Sequence, residues 1–272
     1  MAGIRIRDVS DDKTKTDAPK AFVISFAEKN KALVNPDEIK PILSVENDDG
    51  KGALREAHVI RLGIRPSVLH PFAQIEGDDN YKRVVVKQTA SRCIRADENV
   101  LKEQPLLLLF DADKDVVDTA SVNMFARYCV GKNLDIKLAA DLAKIWPRKD
   151  DHMIVEDAKT LKEYGYKQYV TLRMARLLGK MVSSGFVVDK GMALCVEAGL
   201  FNHSCDPNCD WYLDERTQFV VYAIKDVQPG EELTIDYVGD RDEYKKASAE
   251  QKREMLKERM GFECHCVQCK HL

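Results

Sequence analysis

Three thiols near residue 270 constrain this chain more than any other feature. Cys264, Cys266 and Cys269 form a Cys-x-Cys-x-x-Cys run. Thiolates at that spacing suit zinc, which in structural sites takes four ligands in a tetrahedron. An iron–sulfur cluster is the weaker match, because it ordinarily draws on four well-spaced cysteines and redox partners. Three local thiols leave one position to be filled. His265 and His271 are near in sequence, and Cys205 or Cys209 could be brought from far upstream. If a distant cysteine supplies the fourth ligand, zinc ties this segment to the core and closes a pocket over it. The upstream stretch is unusual in its own right. Leu200–Cys209 reads Leu-Phe-Asn-His-Ser-Cys-Asp-Pro-Asn-Cys, a density of amide, imidazole and thiol groups for which a plain core strand has no use.

Composition bears on how the eight cysteines are read. Met1–Lys20 is polar and has no apolar signal-peptide stretch, which points to a reducing compartment and to thiols used as ligands or core residues rather than disulfides. A chain with 44% hydrophobic and 32% charged residues and a net charge of -3 is an ordinary globular mix. That charge argues against a whole-molecule nucleic-acid binder, and no apolar run reaches membrane-spanning length. At 272 residues the chain makes one large domain, or one domain and a smaller one.

Along the chain, residues 1–20 read as a disordered tail. Residues 21–80 read as a β-rich N-terminal region of unknown role, with apolar runs at Ala21–Phe26, Ile42–Val45, His58–Leu62 and Val68–Ile75. Turn signals at Asn47–Gly50 and Gly77–Asn80 separate them. His58 and His70 stand alone and read as satisfied or solvated. Arg83–Val86 and Leu106–Phe110 read as strands. Residues 111–184 turn helical: Val122, Phe125, Ala126, Cys129 and Val130 share one face, followed by stripes at Leu138–Trp146 and Met174–Val182. Such stripes are core faces. Strands return at Phe186–Val188, and Asp210–Leu213 with Phe219–Ile224 reads as a hairpin. Pro229-Gly230 fits the centre of a type II turn leading into Glu232–Tyr237. Arg241–Met260 reads as a solvated, charge-alternating helix.

Asn202-His203-Ser204-Cys205-Asp206-Pro207-Asn208-Cys209, then Gly230-Glu231-Glu232-Leu233-Thr234-Ile235-Asp236-Tyr237, then the Cys264–Cys269 run, resemble in order and spacing a SET domain with its post-SET zinc site. Within that superfamily the chain is most similar to the SMYD (SET and MYND) protein-lysine methyltransferases. Thr89–Glu98 and Val100–Leu106 resemble the first SET strands. The resemblance covers about Val84 to Leu272.

The resemblance implies an α+β, β-rich SET fold with a pseudoknot, in which Glu232–Tyr237 passes beside Asn202-His203. It implies an N-terminal SET part at 81–110, a helical SET insert at 111–184, a C-terminal SET part at 185–240, and a post-SET helix and zinc motif at 241–272. It implies S-adenosylmethionine and zinc as cofactors. Asn202, His203 and Phe262 would contact S-adenosylmethionine, with Phe262 stacking the adenine. Tyr237 would be catalytic, and Cys205 would join Cys264, Cys266 and Cys269 on zinc, leaving Cys209 to pack. The substrate implied is a protein lysine, on a histone tail or another protein. Family use implies a nuclear or cytoplasmic setting, the nucleus and chromatin foremost, with no membrane and no direct nucleic-acid contact. Residues 1–80 are open to a protein partner.

Three departures stand out. The Gly-x-Gly of the first SET strand pair falls here at about Val85 and Lys87, where valine branches would occupy cofactor space. Ala193-Leu194-Cys195-Val196 replaces a common Gly-Leu-Tyr-Pro. No MYND-like Cys/His cluster lies between Phe110 and His152. The enzyme reading is therefore paired with an alternative: a catalytically impaired pseudo-methyltransferase serving as an interaction module in a chromatin-associated complex.

Overall fold

The computed structural model describes residues 39–43, 56–61, 66–78, 81–111, 140, 142–143, 184–188, 191–214, 217–238, 246–260 and 262–270. In chain order the strands are β1 (Ile39–Leu43), β2 (Glu56–Arg61), β3 (Val68–Leu69), β4 (Ala73–Gly77), β5 (Lys82–Val86), β6 (Asn99–Glu103) and β7 (Leu107–Asp111). They continue with β8 (Gly185–Val188), β9 (Gly191–Leu194), β10 (Asn202–His203), β11 (Cys209–Leu213), β12 (Phe219–Ala223) and β13 (Glu232–Ile235), and end with helix α1 (Ala249–Met260). Two compact units result, one built on Arg65–Glu103 and Val196–Leu272, the other on Ile4–Ile64 and Gln104–Cys195.

The second unit carries an antiparallel five-stranded sheet in the order β1-β2-β7-β9-β8. Its apolar run behaves as the sequence suggests: Leu106, Leu107 and Leu108 are almost fully buried, as are Ala193, Leu194 and Cys195. The helical stripes expected over 111–184 lie outside the described residues, apart from isolated positions such as the buried, helical Leu142.

The first unit holds two four-stranded sheets, β10-β13-β5-β4 and β11-β12-β6-β3. In the first, β4 and β5 form a hairpin in which Gly77 pairs with Lys82. The turn needs glycine, because Gly77 sits at φ +107° and a Cβ there would run into the Tyr81 carbonyl. β13 then lies antiparallel to β5, and Gly230, at φ +88°, lets the Glu231 amide return to the Gln228 carbonyl at 3.0 Å, the turn anticipated from Pro229-Gly230. On its other edge β13 takes β10 in parallel, Asn202 opposite Thr234 and His203 opposite Ile235. Because β11 and β12 intervene in sequence, this parallel pair joins two segments distant along the chain, and it sets Glu232–Ile235 beside Asn202-His203 as the resemblance implies.

In the other sheet β11 and β12 form the expected hairpin, Leu213 opposite Phe219. Trp211 stacks on Phe219 at 5.0 Å between ring centroids. Ile94, Leu101, Phe201 and Phe219 are among the largest fully buried side chains of the unit. Burying a side chain of this size contributes roughly 1.5–3 kcal/mol relative to leaving it exposed.

α1 starts with a capping box. The Gln251 amide donates to Ser248 Oγ at 3.2 Å, and the Ser248 amide donates to Gln251 Oε1 at 2.8 Å. Leu256 is its fully buried residue and packs into a small cluster with Val238, Cys264 and Cys269. Among the described residues of this charged helix Leu256 is the buried anchor, with Met255 partly buried beside it, which explains why the sequence reads as solvated.

Candidate cofactor and metal site

Cys205, Cys264, Cys266 and Cys269 converge, their sulfurs all within 4.8 Å of one another. Cys205 Sγ lies 3.8 Å from Cys264 Sγ and 3.7 Å from Cys269 Sγ. Four thiolates on a tetrahedral zinc with bonds of about 2.3 Å stand about 3.8 Å apart, so the four sulfurs fit a structural zinc ion. Burial works against ionisation at Cys266. Hydrogen bonds from Cys205, Cys269 and Cys264 outweigh it and bring that thiol down to about 6. Cys209, the other upstream candidate, is in β11 and buried, and its thiol is pushed up to about 12 by burial and by Asp210. It is outside the cluster, as is His265, and His271 lies outside the described residues.

The neighbouring residues of the same loop face elsewhere. A cavity of about 810 Å³ is lined by Asn202, His203, Tyr237 and Phe262, together with Tyr81, Glu232, Thr234 and the Glu263–Val267 segment. β10 supplies the first two, the chain just past β13 supplies Tyr237, and the stretch after α1 supplies Phe262. The Phe262 ring stands 6.0 Å from both the His203 and the Tyr237 rings.

His203 is committed to the protein on both ring nitrogens. The Tyr237 amide donates to Nδ1 at 3.1 Å, so the proton sits on Nε2, 3.2 Å from Cys205 Sγ. Asp236 Oδ1 lies 3.5 Å from Nδ1 but accepts the Val238 amide at 2.9 Å. Burial pushes His203 down to about 4, so the ring is neutral near pH 7. Asn202 Nδ2 reaches Glu232 Oε1 at 2.7 Å, Tyr81 Oη at 3.1 Å and the Lys82 carbonyl at 3.2 Å. Asn208 clamps β13 from the other side, donating to the Glu232 carbonyl and accepting the Thr234 amide.

The Tyr237 hydroxyl donates to the Phe201 carbonyl at 2.7 Å. Burial, reinforced by the nearby Glu232 charge, raises its pKa above the ordinary tyrosine value. The phenol stays protonated at neutral pH.

Val85 and Lys87, the positions at which an obstruction is expected, lie away from this cavity. Val85 pairs with Glu232 across the sheet and is 3% exposed, and Lys87 Nζ donates to the Pro71 carbonyl at 2.6 Å. Neither lines the cavity; Tyr81, at the mouth of β5, does. The register of β5 on β13, which linear matching of motifs cannot supply, decides this.

Several residues escaped sequence reasoning. Glu232 and Asn208 sit inside quoted motifs, and their contacts, Glu232 to the Asn202 side-chain amide and Asn208 to the β13 backbone, were readable only as polar residues at strand edges. Tyr81 followed a turn signal without further mark. Glu103 had no signal beyond a carboxylate ending an apolar strand. It is almost fully buried, and burial drives its pKa up to about 7 against the pull of the Ala198, Val196 and Glu197 amides.

Residues 83–238 match the family model described as SET domain. Histone-lysine N-methyltransferase SMYD3 of Homo sapiens is 31% identical over 96 residues, 33% of this chain and 21% of that protein. Protein-lysine N-trimethyltransferase SMYD5 of Mus musculus is 33% identical over 86 residues, 31% of this chain and 20% of that protein. The chain thus spans about a fifth of the length of these relatives. A crystal structure of the SET domain of LSMT bound to lysine and AdoHcy, 11% identical, superposes with a TM-score of 0.44, covering 72% of this chain and 54% of that one.

Proposed function

Because the chain belongs to the SET-domain family, we propose that it transfers the methyl group of S-adenosylmethionine to the side-chain amine of a protein lysine. The observation that carries this reading is the convergence of Asn202, His203, Tyr237 and Phe262 on one cavity from three separate parts of the chain. A cavity of this size suits a ligand as large as the cofactor.

S-adenosylmethionine supplies, when bound, a methyl group on a positively charged sulfur. The residues supply alignment, which an in-line displacement at carbon needs more than covalent catalysis. Asn202, the β10 backbone and Phe262 would hold the cofactor, Phe262 against its adenine. Tyr237 spends its hydroxyl proton on the Phe201 carbonyl. Its oxygen lone pairs are left to accept an N–H of the incoming amine and turn the nitrogen lone pair toward the methyl group. The protonated phenol is not a base at neutral pH, so Tyr237 orients and does not deprotonate. The lysine, with a free pKa near 10.4, would shed its proton to solvent, favoured by the positive charge of the bound cofactor. The bound cofactor would supply the methyl group, a C–N bond forming as the C–S bond breaks and S-adenosylhomocysteine leaves. Cys205, Cys264, Cys266 and Cys269 would hold zinc as a structural ion, which would keep Phe262 and the 263–267 segment against the cavity.

The domain boundaries go with this reading: SET residues at 81–110 and 185–240 around an insert, and a post-SET segment at 241–272. We infer a nuclear or cytoplasmic setting. Histone tails are the first substrates to test, and residues 1–80 are available to a protein partner.

Two measurements test the proposal. Calorimetry with S-adenosylhomocysteine is expected to give a dissociation constant of about 10 μM or tighter, which rules out an interaction module that has lost its cofactor. Incubation with labelled S-adenosylmethionine and histones or lysate is expected to label protein lysines. No binding and no transfer would overturn the reading.

A further inference from the structure

Apart from the cavity residues, the first unit holds a carboxylate with no part in the chemistry above. Glu103, the last residue of β6, is 4% exposed. Its Oε1 accepts the amides of Val196 at 2.5 Å and Glu197 at 3.1 Å, and its Oε2 accepts those of Glu197 at 3.0 Å and Ala198 at 2.8 Å. Three successive backbone donors thus close on one side chain. Both oxygens must be acceptors to satisfy them, a requirement a neutral amide cannot meet. The charged neighbour acting on it is Glu197, whose own carboxylate accepts the Ser67 hydroxyl at 2.6 Å.

The gathered amides open the 3-10 turn Ala198–Leu200. Leu200 returns its amide to Glu197, and Phe201 returns its amide to Ala198. Phe201 follows, 1% exposed, and its carbonyl receives the Tyr237 hydroxyl. Asn202 and His203 come next as β10, and the Ser204 amide then bonds the Ile235 carbonyl. No residue between the turn and the cavity is free of these contacts, so a shift at the turn is passed to the site.

We propose that Glu103 is a positioning residue of the methyl-transfer site: by gathering the amides of Val196, Glu197 and Ala198 it sets the Phe201 carbonyl and, through it, Tyr237, Asn202 and His203. Its consequence for transfer rests on the methyltransferase reading; its effect on the turn does not.

Glu103→Gln, in the zinc-loaded full chain, separates the two. The substitution keeps the volume but turns one acceptor into a donor facing an amide. Loss of a buried hydrogen bond of this kind is expected to speed amide exchange at Phe201 and Ser204 by at least about tenfold relative to Val221 of β12, the internal reference. In the folded fraction the dissociation constant for S-adenosylhomocysteine is expected to rise about tenfold. The kcat is expected to fall by at least about tenfold, with KM for the protein substrate within about twofold. Glu103→Asp, which keeps both acceptors, recovers part of each loss. Unchanged exchange at Phe201 and Ser204 overturns the inference whatever the cofactor does. Faster exchange there, with unaltered cofactor affinity and kcat, also overturns it, since Glu103 would then be structural only. If the wild type itself fails to bind S-adenosylhomocysteine, the methyltransferase reading falls, and exchange alone still decides whether Glu103 sets the turn.

Discussion

Replacing Cys205 by alanine tests how one loop serves two sites. The Cys205 sulfur is 3.7–3.8 Å from two of the other three thiols and 3.2 Å from His203 Nε2. A structural zinc site contributes about 10–16 kcal/mol, so an equal share is roughly 2.5–4 kcal/mol per ligand. At about 1.4 kcal/mol per factor of ten, Cys205→Ala should weaken zinc binding by roughly two to three orders of magnitude. Competition against a chromophoric chelator, with metal analysis after dialysis, reads this directly. Because Phe262 packs on the cluster of Val238, Leu256, Cys264 and Cys269 that zinc would brace, the same variant should expose residues 262–270 to protease and weaken S-adenosylhomocysteine binding. Cys209→Ala is the control. It opens a small cavity in β11 and should lower stability by about 1–2 kcal/mol while leaving zinc in place. A wild-type competition curve for Cys205→Ala, or loss of zinc from Cys209→Ala, would refute the assignment.

Tyr237→Phe removes the hydroxyl from the Phe201 carbonyl. It should reduce methyl transfer by at least about a hundredfold while S-adenosylhomocysteine affinity stays within about threefold, and urea melts should shift by only about 1 kcal/mol; retained transfer would remove Tyr237 from the mechanism. Glu103 has its folded pKa raised from 4.5 to about 7, chiefly by burial. Its contribution to stability is therefore full below about pH 4.5 and is lost as pH rises through 7. The stability of the wild type relative to Glu103→Gln should fall by about 3 kcal/mol between pH 4.5 and 8, and a pH-independent difference in urea midpoints would contradict this. Gly77→Ala forces a Cβ against the Tyr81 backbone, whereas at Gly230 only the flexible end of Gln88 is in the way. Both pay the left-handed backbone penalty of about 1–2 kcal/mol, so Gly77→Ala should lower the urea midpoint further than Gly230→Ala.

Much of the local structure was legible because local chemistry decides it. Pro229-Gly230 and Gly77 announce turns whose φ values only glycine accepts easily, and the β11–β12 hairpin follows from two apolar runs around a polar loop. The capping box at Ser248 and Gln251 was present as letters but not recognised as the start of a helix that begins later than Arg241. The run Cys264–Cys269 required a fourth ligand, and spacing alone left Cys205, Cys209, His265 and His271 in contention.

Tertiary structure resolved what spacing could not. Whether Cys205 or Cys209 joins the other thiols depends on which face of the chain turns toward α1, and β11 carries Cys209 inward to pack. Which way Val85 points depends on the register of β5 against β13, where a shift of one residue would exchange the two faces of the sheet. The buried carboxylate of Glu103 meets the amides of residues 196–198 only because β6 ends beside a turn far along the sequence. Residue types, turns and ligand spacing are properties of neighbours in the chain, and the sequence determines them by itself. Register, facing and the pairing of distant polar groups are properties of packing, which the folded chain alone decides.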